Sequence, residues 1–463
     1  MSHDALKRLP SIDKLLSSSV WSDAVRVSHT RRRAACREVV DRVRAGILSG
    51  DLGGEALDIE PMAREARRRA EEAVRPVLRP VINGTGVILH TNLGRAPLAA
   101  AALEAIAAAA GRYTNLEMSL ATGRRDNRLS KLSDAFARVL GSPDVVVTNN
   151  NASAVFLVLK ALAGDGTGVA VSRGEQVEIG GSFRVPEILA EAGGRMMEVG
   201  TTNRTHLRDY ERAMDEGATI LMKVHRSNFA VVGFTKEVEP QELVALARSR
   251  GGIVLYDLGS GLPWGDMNRG ESSVRQALAA GVDLVCFSGD KLLGGPQCGI
   301  VAGRADLVER VRTHPVMRML RPGKLQLLAL EATLLAWERD PEGGEIPAAR
   351  AQSISPSELK RTARKLAEGI APHLPEALTV ETTPVESTPG GGSSPMVKLP
   401  SWGIAISGSG TARLAAELRQ GEPPIVARLE ADRLIIDVRT LLPGDDDAIV
   451  ARFRVRGPVA PGS

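Results

Sequence analysis

Two hydrophobic rhythms divide this chain. Up to about residue 80, apolar positions recur near helical spacing in LPSIDKLL, in a long stretch from Ser22 to Leu48 and in Met62–Val74, with Gly53-Gly54 between the last two. This predicts a helical N-terminal segment. Prolines 76 and 80 in RPVLRP disfavour helix continuation and mark a linker. From Val81 onward the rhythm changes to short Val- and Ile-rich runs at 144–148, 168–172, 218–225, 252–259 and 283–291, alternating with helical stretches. These runs lack polar alternation, as expected for strands buried on both faces by crossover helices. The pattern predicts an α/β domain with a mostly parallel sheet. A Gly/Pro/Ser-rich passage at 382–395 and the run RLIIDVR read as parts of a smaller α+β domain. The expected divisions are 1–75, helical; 76–335, α/β; and 336–463, α+β.

Composition narrows the class. With 463 residues, 43% hydrophobic and 25% charged, the chain is a multidomain globular protein, which excludes disorder, collagen and a disulfide miniprotein. Aromatics are only 3%, so base stacking is not expected to dominate any nucleic-acid contact. Cys36, Cys286 and Cys298 are odd in number, widely spread and outside any metal-ligand spacing, which argues against a zinc site or a disulfide scaffold. The most apolar stretch, Pro97–Gly111, is interrupted by Glu104, and the first residues lack a signal-peptide core, so a cytoplasmic protein without a membrane span is expected. The net charge is +4. Residues 1–80 hold 16 Lys and Arg against 12 Asp and Glu, so the whole excess sits in the helical segment, where two arginine triplets stand, Arg31–Arg33 and Arg67–Arg69.

The sharpest chemical signal is FSGDKLLGGPQCG at 287–299. Lys291 follows an apolar strand and precedes Gly294-Gly295-Pro296, a setting in which partial burial lowers a lysine's pKa and exposes a nucleophilic amine. Asp257 ends an earlier strand in LYDLGSG. An acid after one strand and a lysine after a later one match the needs of pyridoxal 5′-phosphate: a carboxylate for the pyridinium proton and an amine for the Schiff base. A capping aspartate and a surface lysine would give the same strings. TNNNASAV, between the strand DVVVT and an apolar helix, offers the amides of Asn151 and Ala152 at a helix N-terminus as a phosphate cradle, and Ser288 could add a hydroxyl.

These strings, with VINGTGVILHTNLGRAPL, SRGEQVEIGGSFRVPEI, VGTTNRT, HRSNF and HPVMRMLRPGK, resemble bacterial selenocysteine synthases, the L-seryl-tRNA(Sec) selenium transferases, over nearly the whole chain. The resemblance implies a fold-type-I pyridoxal-phosphate enzyme, aspartate aminotransferase-like, assembled as a homodecamer from a pentamer of dimers. It also implies conversion of Ser-tRNA(Sec) to selenocysteinyl-tRNA(Sec), with selenophosphate as donor and an aminoacrylyl-tRNA intermediate, and no role for DNA or a membrane. By motif, Lys291 would hold the cofactor and Asp257 its ring nitrogen, while Arg95, Arg318 and Arg321 would bind the donor anion. Thr201, Thr202 and Asn228 fall in motifs implying assembly or active-site roles. Such enzymes usually stack an aromatic on the ring, where SRGEQVEIGG offers Glu175 and Gln176. Arg31, Arg32, Arg33, Arg67, Arg68 and Arg69 fall where the resemblance places tRNA contacts. A related enzyme acting on a free amino acid, or a non-catalytic tRNA-binding protein, are the alternative readings.

Overall fold

The computed structural model describes residues 2–22, 27–52, 57–142, 144–164, 166–180, 183–265, 272–393 and 396–456. The chain divides into two compact units, Met1–Pro80 and Val81–Ser463.

The first unit is helical: α1 (Ser2–Lys7), α2 (Ile12–Leu16), α3 (His29–Ser49) and α4 (Ile59–Val74). Ser28 caps α3 by accepting from the Arg31 amide at 3.3 Å, and Gly50, at φ +85°, ends it in the left-handed conformation that glycine adopts without strain. The helical register expected from Ser22 thus begins at His29; residues 23–26 and Gly53-Gly54 lie outside the described residues. Ala35, Val39, Val43 and Ile47 form one buried stripe on α3, and Met62, Ala63, Ala66 and Ala70 form another on α4. The small alanines let the two helices pack closely. The Trp21 indole donates to the Leu15 carbonyl at 3.0 Å, which satisfies its N–H inside the same core.

The second unit carries helices α5 (Ala100–Ala109), α6 (Ser133–Leu140) and α7 (Asn151–Leu162) and the strands of three sheets. In chain order the strands are β1 (Ile82–Gly84), β2 (Val145–Thr148), β3 (Gly168–Ser172), β4 (Glu178–Ile179), β5 (Phe183–Arg184), β6 (Arg195–Val199), β7 (Ala218–Val224), β8 (Ile253–Gly259), β9 (Leu284–Ser288), β10 (Gly299–Gly303), β11 (Leu378–Ser387), β12 (Leu399–Gly408), β13 (Ile425–Glu430) and β14 (Arg433–Asp437). The main sheet runs β2-β10-β9-β8-β7-β3-β6. Every neighbouring pair from β9 to β6 is parallel, and β10 is antiparallel to both β9 and β2. The reversal follows from the connection: β9 and β10 are joined by a short glycine-rich turn rather than a crossover helix. Alternate strand residues enter different cores, Val145 and Val147 one and Val146 the other. Both faces are covered, so the sequence shows continuous apolar runs where a one-sided sheet would alternate.

The second sheet runs β1-β13-β14-β12-β11. Its first strand comes from the start of the unit: Ile82 and Gly84 are buried, and β1 lies parallel to β13. The residues just after the linker, read as the opening of the α/β portion, thus belong to the C-terminal sheet. The first six of the fourteen residues in the Gly/Pro/Ser-rich passage, 382–387, are likewise strand. Pro384 sits in β11, an edge strand paired only with β12, where a missing N–H is tolerated.

Under the glycine-rich turn after β9 lies Trp337, fully buried, which donates to the Leu293 carbonyl at 2.8 Å and meets Trp264 edge-on with ring centroids 5.5 Å apart. Trp337→Ala leaves both a cavity and an unsatisfied carbonyl, and is expected to cost about 3–5 kcal/mol. Urea unfolding followed by far-UV circular dichroism checks this as a fall in midpoint.

Candidate active site

The parallel strands β8 and β9 end side by side, with Asp257 in register with Cys286. Asp257 and Lys291 are both buried at this end of the sheet, 4% and 5% exposed. Lys291 is fixed from both sides of its own turn. Its carbonyl accepts from the Gly294 amide at 3.0 Å, and the next amide, of Leu292, donates to the Ser260 carbonyl at 2.9 Å. The C-terminal sheet supplies the roof. The turn after β11 brings Gly392, at φ +91°, so close that a β-carbon there would overlap the Lys291 amine, and the Gly392 amide donates to the Ser227 carbonyl at 3.3 Å. Only glycine allows that approach in that conformation.

Burial is the largest influence on Asp257 and raises its pKa above the ordinary carboxylate value. Opposing it, the Asn151 side-chain amide donates to the carboxylate at 2.8 Å, and the positive charges of Lys291 and His225 and the Gly259 amide also favour the ionised form. Asn151 therefore reaches into the site with its side chain, a contact the sequence reading did not include when it assigned that residue a backbone amide for phosphate. The N-terminus of α7 is nonetheless open to such use: Asn150 caps it by accepting from Ser153 at 2.8 Å, and Asn151 and Ala152 form its first turn. Ser288 is buried at the end of β9.

Around this floor, Asn151 Oδ1, Ser227 Oγ and Ser260 Oγ are buried with no hydrogen-bonding partner among the described residues. Ser227 is tied through its carbonyl to the roof at Gly392, and Ser260 through its carbonyl to Leu292. Buried hydroxyls normally find partners, so the set fits a bound group carrying acceptors and donors of its own. The sequence reading missed both serines and Gly392, because no local motif sets them beside a lysine in another segment.

Arg95 is drawn to the same region. Its guanidinium donates to Asp290, the neighbour of Lys291, at 2.8 Å, and the Ala96 amide donates to the Asp290 carbonyl at 3.3 Å. Its backbone stands at φ +62°, a left-handed conformation that costs a side-chain-bearing residue energy. Arg318 and Arg321 go elsewhere within the chain. Arg318 is exposed on the short helix Met317–Leu320, and Arg321 lies 3.6 Å from Glu117 in a separate cavity. That segment borders the start of α7 through the Asn149 amide, which donates to the Leu320 carbonyl at 2.8 Å.

The remaining candidates have structural engagements. Glu175 is committed to a buried pair with Lys223 at 2.9 Å and to the Val224 amide at 3.0 Å. Thr201 closes a turn onto the Arg204 carbonyl, Thr202 is exposed, and Asn228 donates to the Glu178 carbonyl. Cys286 and Cys298 are fully buried, and burial pushes both thiols up, away from reactive thiolate. In the helical unit every arginine of the triplets touches its own unit. Arg31 lies near Glu38, Arg32 donates to the Val27 carbonyl and stands over Trp21, and Arg33 lies 3.9 Å from Asp13. Arg67, Arg68 and Arg69 form i,i+3 and i,i+4 pairs with Glu65, Glu71 and Glu72. Among the described residues no helix is long and apolar enough to cross a membrane, and no group of His, Cys, Asp and Glu is placed to hold a metal ion.

Comparison with known proteins gives one consistent match. Residues 81–442 match the family model described as L-seryl-tRNA selenium transferase. The L-seryl-tRNA(Sec) selenium transferase of Moorella thermoacetica is 45% identical over 456 residues, covering 97% of this chain and 96% of the relative. That of Geobacter sulfurreducens is 41% identical over 459 residues, covering 96% and 98%. Among solved structures, D-glucosaminate-6-phosphate ammonia-lyase superposes with a TM-score of 0.58 at 21% identity, covering 82% of this chain and 95% of that one, a likeness of fold.

Because burial opposes and Asn151 favours the charge on Asp257, the variant Asn151→Leu has a pH signature. With its folded pKa raised, Asp257 contributes stability below the ordinary carboxylate value and loses it as pH rises through the raised one. Removing the Asn151 donor raises that pKa further. At neutral pH the cofactor-free variant should be less stable than the parent by about 1.5–3 kcal/mol, the usual worth of a hydrogen bond to a charged group. The deficit should vanish in acid, once the carboxyl is protonated in both proteins. Denaturation midpoints across the pH range test this; a constant deficit would refute it.

Proposed function

The chain belongs to the L-seryl-tRNA selenium transferase family, and from that premise we propose that it converts Ser-tRNA(Sec) to selenocysteinyl-tRNA(Sec) with pyridoxal 5′-phosphate as cofactor and selenophosphate as donor. The observation that carries the reading is the meeting of buried Lys291 and Asp257 with half-buried Asn151 at the ends of β8 and β9 and the start of α7, in a chain similar to these enzymes over 97% of its length. The large α/β unit has the architecture of fold-type-I, aspartate aminotransferase-like enzymes.

The cofactor fits what the floor offers. When bound, it supplies an electron sink for the seryl α-carbon. Asp257 holds the proton of its ring nitrogen, and Asn151 orients that carboxylate. The amides of Asn151 and Ala152 at the head of α7, with the Ser288 hydroxyl, hold its phosphate. Ser227 and Ser260, whose hydroxyls have no partner among the described residues, would be free to donate to such a group. Lys291 would anchor the cofactor, take the proton from the seryl α-carbon and return it there once the β-hydroxyl has left as water, selenium has bonded to the β-carbon, and hydrolysis of its bond to phosphorus has released phosphate. The Gly392 roof excludes water from that amine.

Selenophosphate is a small polyanion, suited to planar guanidinium forks. Arg95, aimed by Asp290 beside Lys291, holds it on the catalytic side; Arg318 and Arg321 belong to the donor-binding set by their motif, while within one chain they lie apart from Arg95. The helical unit binds the tRNA. Its arginine triplets are paired with carboxylates, but exposed pairs of this kind are worth a fraction of a kcal/mol and yield readily to an RNA phosphate. Arg33 and Arg68, with half of their side chains exposed, are the most accessible. We infer a cytoplasmic homodecamer, a pentamer of dimers. Its support is the large exposed apolar side chains of the second unit, Tyr113, Leu120, Val232, Phe234 and Met319, which a solitary chain would leave in water.

Protein loaded with pyridoxal phosphate should show a visible absorbance band that borohydride removes, and Lys291→Ala should lose both the band and selenocysteine formation. The parent should use Ser-tRNA(Sec) with selenophosphate and leave free serine untouched; equal turnover of free serine would favour a lyase of the same fold. Neutralising Arg33 and Arg68 together should weaken tRNA binding and lower its salt dependence by a slope of about 1–2, one for each phosphate that the variant no longer neutralises, while the absorbance band stays unchanged.

A further inference from the structure

A cavity of about 800 Å³ lies within the second unit, between the loop that carries Arg95 and the C-terminal sheet. The start of α5, the helices Pro347–Ser353 and Pro356–Ile370 and the turn that follows β14 form its sides. Its walls are aliphatic, among them Leu98, Leu103, Ile354, Leu359 and Leu442. The inner wall is continuous with the catalytic floor. Ile88 and Ala348 line the cavity and belong to one small core with Leu292, the residue after Lys291. Arg95, also in the lining, donates to Asp290, the residue before Lys291, at 2.8 Å.

The chemistry of a seryl ester dictates what must lie beside Lys291. Only the carbonyl carbon separates the seryl α-carbon from the ribose oxygen, so a substrate whose α-proton reaches Lys291 brings its terminal nucleoside to the edge of the same site. A nucleoside is a flat base on a polar sugar, the kind of group that apolar walls with a few placed polar atoms enclose. Arg439 supplies one such atom. It is 3% exposed and lines the cavity, and its terminal nitrogens are held by the Ala351 and Pro400 carbonyls at 2.7 and 2.6 Å. Its Nε is buried with no hydrogen-bonding partner among the described residues, a donor suited to an acceptor on a bound group. Charge speaks against an anionic occupant: Glu345, Glu358, Asp445 and Asp446 face Arg95, Arg350 and Arg439 in the lining, four carboxylates to three guanidiniums. We propose that this cavity seats the 3′-terminal adenosine of the seryl-tRNA, its ribose on the side of Arg95 and its base between the aliphatic walls, with the phosphates of the preceding nucleotides outside. The proposal rests on the seryl-tRNA reading above and deepens it, because a site that binds the nucleoside tells an aminoacylated RNA end from free serine.

The test compares two probes. One is serine joined through an amide to 3′-amino-3′-deoxyadenosine, which resists hydrolysis; the other is serinamide, which lacks the nucleoside. Each is titrated into the full-length protein loaded with pyridoxal phosphate, and the change in the visible absorbance band is read. The nucleoside conjugate should half-saturate at a concentration about tenfold or more below that of serinamide. Leu103 and Leu442 are 56% and 41% exposed, so Leu103→Glu/Leu442→Glu puts two charges on the cavity wall without touching a core. In this variant the advantage of the conjugate should shrink to less than about twofold while the serinamide curve stays where it was. A conjugate that produces no change, or one no better than serinamide, overturns the proposal. So does an advantage that survives in the double variant while sedimentation shows a smaller assembly, which would give the cavity to a second copy of the chain. A conjugate of the expected behaviour on a protein that makes no selenocysteinyl-tRNA from Ser-tRNA(Sec) and selenophosphate would leave the nucleoside site standing and overturn the transferase reading alone.

Discussion

A lysine amine and a carboxylate share the water-poor floor at the ends of β8 and β9, and much of the second unit is arranged around the cost of keeping them there. Taking a carboxylate out of water raises its pKa and favours the neutral acid. Opposing that cost, groups from three segments converge on Asp257: Asn151 at the head of α7, His225 after β7, and Lys291 after β9. Each comes from the C-terminal end of a strand or the start of a helix, the places where backbone dipoles and connecting loops meet in a doubly wound sheet. The parallel sheet therefore does more than bury apolar area. It is the geometry that lets residues 34 and 106 positions from Asp257 in sequence reach one carboxylate.

The roof has a different origin. Gly392 belongs to the turn that follows β11, in a sheet whose own first strand is donated by Ile82–Gly84 at the other end of the unit. Closing the Lys291 pocket thus depends on the C-terminal sheet being assembled, and that sheet depends on residues just after the linker. Folding of the pocket is a long-range event, and a truncation at either end of the second unit would remove a wall of the site along with a piece of the fold.

What could be read from sequence follows this division between local and distant causes. The strands announced themselves because both faces of the main sheet are covered, and Lys291 and Asp257 because each closes an apolar run in its own segment. Ser227 and Ser260 lie inside HRSNF and LYDLGSG, but neither string says that its serine faces Lys291, and Gly392 is one glycine among several; the three acquire meaning only when the topology sets them around an amine. Asn151 was visible as the start of a helix, yet its side chain meets Asp257 only because the sheet order carries the helix after β2 to the end of β8, and periodicity says nothing of that order. Charge runs are ambiguous for a further reason. In α4 the glutamates that hold Arg67–Arg69 lie three and four residues away, a spacing that serves helix stability whether or not RNA binds.

That ambiguity is resolved differently in the two parts of the chain. On α4, three arginines meet three glutamates at helical spacing, so the pairs are nearly balanced, exposed and weak, and any anion must compete for them. Around Glu117, three arginines from two distant segments meet one carboxylate, and Arg128 is tethered to backbone as well. An unbalanced cluster of this kind concentrates like charge that its one carboxylate and the backbone tether hold together. Arginine count alone would have ranked these clusters equally. The ratio of guanidinium to carboxylate, and whether the partners are helical neighbours or distant residues brought together by the fold, distinguishes a stabilised helix face from a cluster that the tertiary structure itself assembles.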